Sequence, residues 1–131
     1  MSAIATRGPV WSKKDTYRAS AANQGRGRAV VQGAADDQAA VAGTANVICL
    51  GIQEEANLNA GDPIAVIEMG DAIAVAGAAV AAGNLLKTDN AGRLVPVTGT
   101  AGDGENIVAR AKTSCSNAND EILVIVLPSV L

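Results

Sequence analysis

Three adjacent carboxylate pairs, Asp36-Asp37, Glu54-Glu55 and Asp120-Glu121, are the residues of this 131-residue chain whose types could do acid–base work. Each falls in a stretch that reads as a loop. Neighbouring side chains on extended backbone point in opposite directions, and nothing nearby supplies the apolar pocket that raises one carboxyl pKa for proton donation. They read as solvated acids. The chain has no His, which removes the commonest general base and metal ligand and excludes Ser-His-Asp and Cys-His catalysis. Cys49 and Cys115 stand far apart with no CxxC pair, so neither zinc nor a thioredoxin-type motif is supported. They read as reduced thiols, Cys49 a small core residue and Cys115 in a loop. Asp89-Asn90-Ala91-Gly92 lacks the oxygen-ligand spacing and closing Glu of a calcium loop. Gly99, Gly102 and Gly104 are flanked by Asp103 and Glu105 rather than Lys, which disfavours phosphate binding. Lys87 lies ahead of a turn, not at its tip in a Met-Lys context, so a biotinyl or lipoyl carrier is not indicated. No enzymatic activity, cofactor or metal is expected.

Binding chemistry is concentrated in residues 1–28. Arg7, Lys13, Lys14, Arg18, Arg26 and Arg28 face Asp15 alone there, a charge of +5, against −8 over residues 29–131. The only two aromatics, Trp11 and Tyr17, lie in the same segment. Trp, Tyr and Arg are the residues enriched at interface hot spots, where one or two fill pockets while cations pair at the rim. An acidic protein surface is the better match for this arm. The same residues could stack on bases and pair phosphates, but an acidic body would repel a polyanion. A nucleic-acid-binding accessory protein is therefore the alternative reading.

The elements that must carry this arm are short and β-rich. Apolar content is 49%, made of 27 Ala, 14 Val, 9 Ile and 8 Leu with no Phe, so the core is finely grained. At this length one domain is expected. Strands are predicted over 28–32, 39–42, 45–52, 63–69, 72–76, 85–88, 93–97, 106–112 and 121–127, separated by Gly, Asn and Asp. Asp89-Asn90-Ala91-Gly92 predicts a hairpin, and Gly70-Asp71 a second tight turn. Ile107, Ala109 and Ala111 alternate with Val108, Arg110 and Lys112, which puts both cations on one side and predicts a half-exposed strand. Residues 122–127 are apolar on both faces and predict a central strand. The fold class expected is mainly β, a small barrel or sandwich-like body over 29–131 behind an extended N-terminal arm over 1–28, with room for one short helix at 72–82. An echo at an offset of 59, pairing Asp62 with Glu121, Ile64 with Leu123 and Val66 with Ile125, suggests an internal duplication.

Residues 1–10 contain Arg7, Gly8 and Pro9 and lack a continuous apolar region, so no secretory signal is expected. The longest apolar stretch, 72–82, is too short and too Ala-rich to span a bilayer.

Two stretches carry a family resemblance. Val47-Ile48-Cys49-Leu50-Gly51-Ile52-Gln53-Glu54-Glu55-Ala56 resembles a strand ending in an Ile-Gly-Val-like step before Ala-rich loops. Val80-Ala81-Ala82-Gly83-Asn84-Leu85-Leu86-Lys87-Thr88-Asp89-Asn90-Ala91-Gly92-Arg93-Leu94-Val95-Pro96-Val97 resembles a small-residue run, a Gly-Asp-Leu-Val-like strand and an Asp/Gly hairpin leading into Val-Pro, with Asn84 where Asp is usual. Together, over about residues 30–126, the chain resembles the capsid cement or head decoration proteins of tailed bacteriophages. The resemblance implies a homo-oligomer, with a trimer favoured, on the outer surface of the virion capsid, made in the host cytoplasm. It implies the major capsid protein as partner and a mechanical role, stabilising the mature shell by bridging its subunits. Arg7, Trp11, Lys13, Lys14, Tyr17, Arg18, Arg26 and Arg28 would be the capsid-binding residues, with no membrane partner.

Overall fold

The computed structural model describes residues 12–97 and 104–130. They form nine strands and, among the described residues, no helix: β1 Ser12–Ala19, β2 Ala29–Gln32, β3 Gln38–Val41, β4 Gly51–Gln53, β5 Pro63–Val75, β6 Leu85–Thr88, β7 Leu94–Pro96, β8 Asn106–Ala111 and β9 Glu121–Val130. The sheet order is β1-β3-β2-β4-β5-β9-β8-β6-β7, with β1 also paired to β5. That extra pairing closes β1-β3-β2-β4-β5 into a ring. At the far end of β5, Ala76 bridges Leu94 in parallel, and the Gly77 N–H donates to the Leu94 carbonyl at 2.8 Å. The strands β5-β9-β8-β6-β7 are thereby joined into a second ring.

The two rings repeat one another. In each, a hairpin (β2–β3, β6–β7) is followed by a strand pairing antiparallel to its first member (β4, β8), and then by an antiparallel return strand (β5, β9). Each return strand also pairs antiparallel with the opening strand of its own ring, β1 in the first and the second half of β5 in the other. The loops repeat atom by atom. Asp62 Oδ2 accepts from the Asn59 N–H at 2.9 Å, and Asp120 Oδ2 from the Asn117 N–H at 3.3 Å. The Gly61 N–H donates to the Ala19 carbonyl at 2.8 Å, and the Asn119 N–H to the Ala76 carbonyl at 2.7 Å. Gly61 and Asn119 are both left-handed, φ 86° and 72°, a conformation that Gly and Asn tolerate best.

This alignment corrects the sequence echo by one residue. Asp62 matches Asp120, which pairs Ile64 with Ile122 and Val66 with Val124, all buried. An offset of 59 sets Ile64 against Leu123, on the opposite face of β9, because side chains alternate along a strand.

Two clusters fill the rings. The first ring holds Ala19, Val30, Ala39, Ile64 and Val66, with Tyr17 and Leu50 packed against them. The larger cluster is centred on the second ring and includes Leu86, Leu94, Val108, Ala109, Ile122, Val124 and Val126, with Ala29, Ile52 and Ile67 extending it. Small side chains are required where strands approach closely: a Cβ on Gly51 would run into the Ile67 carbonyl oxygen.

Several sequence expectations change. The 63–69 and 72–76 strands are one 13-residue strand. Gly70, at φ 102°, lies inside it, paired to Ser12 on one side and Val126 on the other, and is not a turn. No helix forms at 72–82, since Ala72, Ala74 and Ala76 are drawn into the second core and tertiary burial outweighs their helix propensity. Within 45–52, regular strand begins only at Gly51. Val108 is buried beside Ala109 because β8 is irregular between Ile107 and Ala109. The 89–92 hairpin and the central placement of β9 are observed.

Candidate functional site

Four of the residues singled out for binding, Lys13, Lys14, Tyr17 and Arg18, lie on β1, whose charge pattern alone gave no sign of a strand. β1 runs antiparallel to β5 from Ser12 opposite Gly70 to Arg18 opposite Pro63, and meets β3 in parallel at Arg18 and Ala19. The compositional boundary after Arg28 is therefore not a break in the sheet. Lys13, Lys14, Asp15, Thr16 and Arg18 are exposed, Ser12 and Tyr17 are half-buried, and Ala19 is buried. Arg7 and Trp11 lie outside the described residues.

The cations of β1 are paired within the molecule. Lys13 Nζ lies 2.6 Å from Glu68 Oε1 and 3.1 Å from Asp15 Oδ2. The Tyr17 hydroxyl donates to Glu68 Oε2 at 2.8 Å, so one carboxylate joins Lys13 and Tyr17. Lys14 Nζ meets Glu54 Oε2 at 2.6 Å. The Arg18 guanidinium grips Asp37 through two bonds, 2.6 and 2.9 Å, and Arg26 does the same with Glu121, at 3.2 and 3.0 Å. Arg28 Nη1 donates to the Ala91 carbonyl at 3.0 Å. The structure thus brings Lys13 and Tyr17 together, disperses Lys14, Arg18 and Arg26 onto separate acids and places Arg28 on a backbone carbonyl.

These contacts set the ionisation of the groups. The hydrogen bond to Glu68 holds Lys13 above the usual lysine range, and the same carboxylate, with burial, pushes Tyr17 up to about 12. The Arg18 guanidinium holds Asp37 below its ordinary value, and Arg18 is raised in return. Burial pushes the Cys49 thiol up to about 11. Cys49 and Cys115 are both free and packed against the larger core, and the raised, half-buried Cys49 thiol is a poor nucleophile.

Sequence reasoning missed a buried polar network beside β1. Gln24 Nε2 donates to Gln53 Oε1 at 2.9 Å, and Gln53 Nε2 donates to the Glu55 carbonyl at 2.7 Å and to Asn57 Oδ1 at 3.2 Å. Asn57 Nδ2 donates to the carbonyls of Ala21 and Asn59, both at 2.9 Å. The network ties residues 21–24 to the β4–β5 loop. Isolated Gln and Asn carry no pattern by which a sequence could reveal it. The carboxylate pairs behave as solvated or ion-paired acids, with Asp37 on Arg18, Glu54 on Lys14 and Glu121 on Arg26; Glu121 opens β9 and is not in a loop. A shallow, open pocket of about 450 Å³ lies along 55–58 and 62–65, beside exposed Leu58. Among the described residues, no group of three or more His, Cys, Asp or Glu could hold a metal ion.

The fold is shared with a bacteriophage head protein, in line with the phage-head resemblance read from the sequence. One match is the crystal structure of the head fiber gp8.5 N base in bacteriophage phi29, with a TM-score of 0.65 and 19% identity over 92% of this chain and 98% of that one. No family model matches the sequence, and no curated protein matches it.

Proposed function

We propose that this chain is a structural protein of a phage head, a non-enzymatic decoration protein that binds the outer surface of the mature shell and stabilises it by bridging major capsid protein subunits as a homotrimer. The observation that carries this reading is near end-to-end likeness in fold to a phage head fiber base, reached independently of the sequence resemblance to head decoration proteins. Many weak contacts to neighbouring subunits would act together. Arg7 and Trp11 are the residues of the basic segment assigned here to capsid contact. Lys13, Lys14, Arg18 and Arg26 already neutralise acids of this chain, which leaves them less suited both to capsid acids and to nucleic acid. Tyr17 is packed against the first core, less suited to anchoring a partner.

The test is co-sedimentation of the full chain with mature heads and with unexpanded precursor heads, with light scattering to give the oligomeric state. Binding confined to mature heads is expected. Equal binding to both, or none, overturns the reading. Deleting residues 2–11 keeps every contact described above and should weaken head binding while leaving the β circular dichroism unchanged.

A further inference from the structure

β1 is held in the sheet in a manner unlike its neighbours. Its only buried side chain is Ala19, and Tyr17 adds a half-buried ring. The remaining hold is backbone pairing along β5, a short parallel pairing with β3 at Arg18 and Ala19, and a set of exposed ion pairs: Lys13 to Glu68 and Asp15, Lys14 to Glu54, and Arg18 to Asp37. Peeling away residues 12–18 therefore gives up little apolar burial, and the released backbone and charges are resolvated. Such segments open locally, well below the free energy of global unfolding. Residues 19–23 form the hinge, anchored on its far side by Gln24, which is locked to Gln53.

The edge left behind is specific. It presents the backbone of 63–70 with Glu68, Glu54 and Asp37 at fixed places, complementary to Lys13, Tyr17, Lys14 and Arg18 in that order. The strand that satisfies all of these is another β1. We propose that β1 is a releasable latch exchanged between copies of this chain: residues 12–18 of one molecule leave their own β5 and dock, in the same register, on β5 of a second. Exchange re-forms every contact and alters only the hinge, which is why such swapping is a low-cost route to association. The proposal does not depend on shell binding, and its failure would leave that reading standing.

The experiment uses two full-length chains in a Cys49→Ala, Cys115→Ser background, one carrying Thr16→Cys and the other Ala65→Cys. These positions are register partners across β1 and β5, exposed and half-buried respectively, so both chains should fold. The chains are mixed in 1 M salt, where screening shortens to about 3 Å, returned to low salt and oxidised. A disulfide-linked heterodimer is expected at about tenfold the yield given by the Thr16→Cys chain mixed with an Asn90→Cys chain, because docking raises the local thiol concentration. Yields equal to that background overturn the proposal. Amide hydrogen exchange of the unmodified chain is the second readout. Amides of residues 12–18 should exchange ahead of those of β9, and about fivefold faster in high salt than in low salt as the exposed pairs are screened. Protection equal to that of β9 also overturns it.

Discussion

The opening strands of the two rings occupy equivalent places and are built from opposite materials. In the first ring, β1 turns Asp15, Tyr17 and Ala19 along the face it shares with Val66 and Ile64. In the second, the end of β5 and the residue that follows it turn Ala72, Ala74 and Ala76 inward, all 4% exposed or less. The second ring needs small residues there because Leu86, Leu94, Ile122 and Val124 already fill it. The first has fewer large apolar residues, so a tyrosine closes the space and a carboxylate, Glu68, takes its hydroxyl. The same pairing scheme thus tolerates an oily or a polar opening strand. What differs is how much each ring depends on it.

The largest test of that difference is deletion of residues 2–28. It removes β1 and Gln24 together, and the first ring should lose its cooperative unfolding transition while amides of β8 and β9 stay protected in hydrogen exchange. Full retention of first-ring protection would show that β1 contributes nothing to the ring. Next in size is the equivalent pair Ile64 and Ile122. Ile122→Ala should fall toward the upper end of the usual cost of about 2–5 kcal/mol and Ile64→Ala toward the lower end, measured by urea unfolding. The reverse order would break the contrast between the two cores. Gln53→Leu, which strands Gln24 and Asn57, should cost about 1–3 kcal/mol, whereas Ala111, its counterpart in β8, has no such network to lose.

The smallest effects concern β1 itself. Tyr17→Phe should cost about 1 kcal/mol, the scale of a single hydrogen bond. The pH dependence follows from the same contacts. Tyr17 is raised from 10.0 to about 12, so its contribution is complete below pH 10 and is lost as pH rises through 12. Asp37 is lowered from 3.8, so its contribution is present above pH 3.8 and is lost as pH falls through its folded value. Protection of β1 amides, taken relative to the intrinsic exchange rate at each pH, should accordingly fall at both extremes while that of β9 holds.

These contrasts also explain what could be read from sequence. β2, β6, β7, β8 and β9 were legible because β-branched or alternating runs ended at Gly, Asn or Asp, and the Asp89–Gly92 turn announced its hairpin. β1 was not, because Ser12-Lys13-Lys14-Asp15-Thr16-Tyr17-Arg18 has no buried face to impose a period; its partner strand, not its own side chains, makes it a strand. Its cations suggested an external partner for a related reason. Composition counts charges but does not show that Glu68, Glu54, Asp37 and Glu121, each distant in sequence, return to meet them. The duplication showed as an echo but one residue out of step, since the small, interchangeable Ala, Val and Ile side chains match nearly as well on either face.

β5 bears on how the two rings move. Thirteen residues at roughly 3.3 Å each make a stave of about 43 Å, gripped in its first half by β1 and β4 and in its second by β9. There is no linker between the rings and hence no hinge. Tilting one against the other would require bending a strand that is hydrogen-bonded on both sides at Gly70. Whatever fixes the orientation of one ring therefore aims the other, as a handle aims a blade.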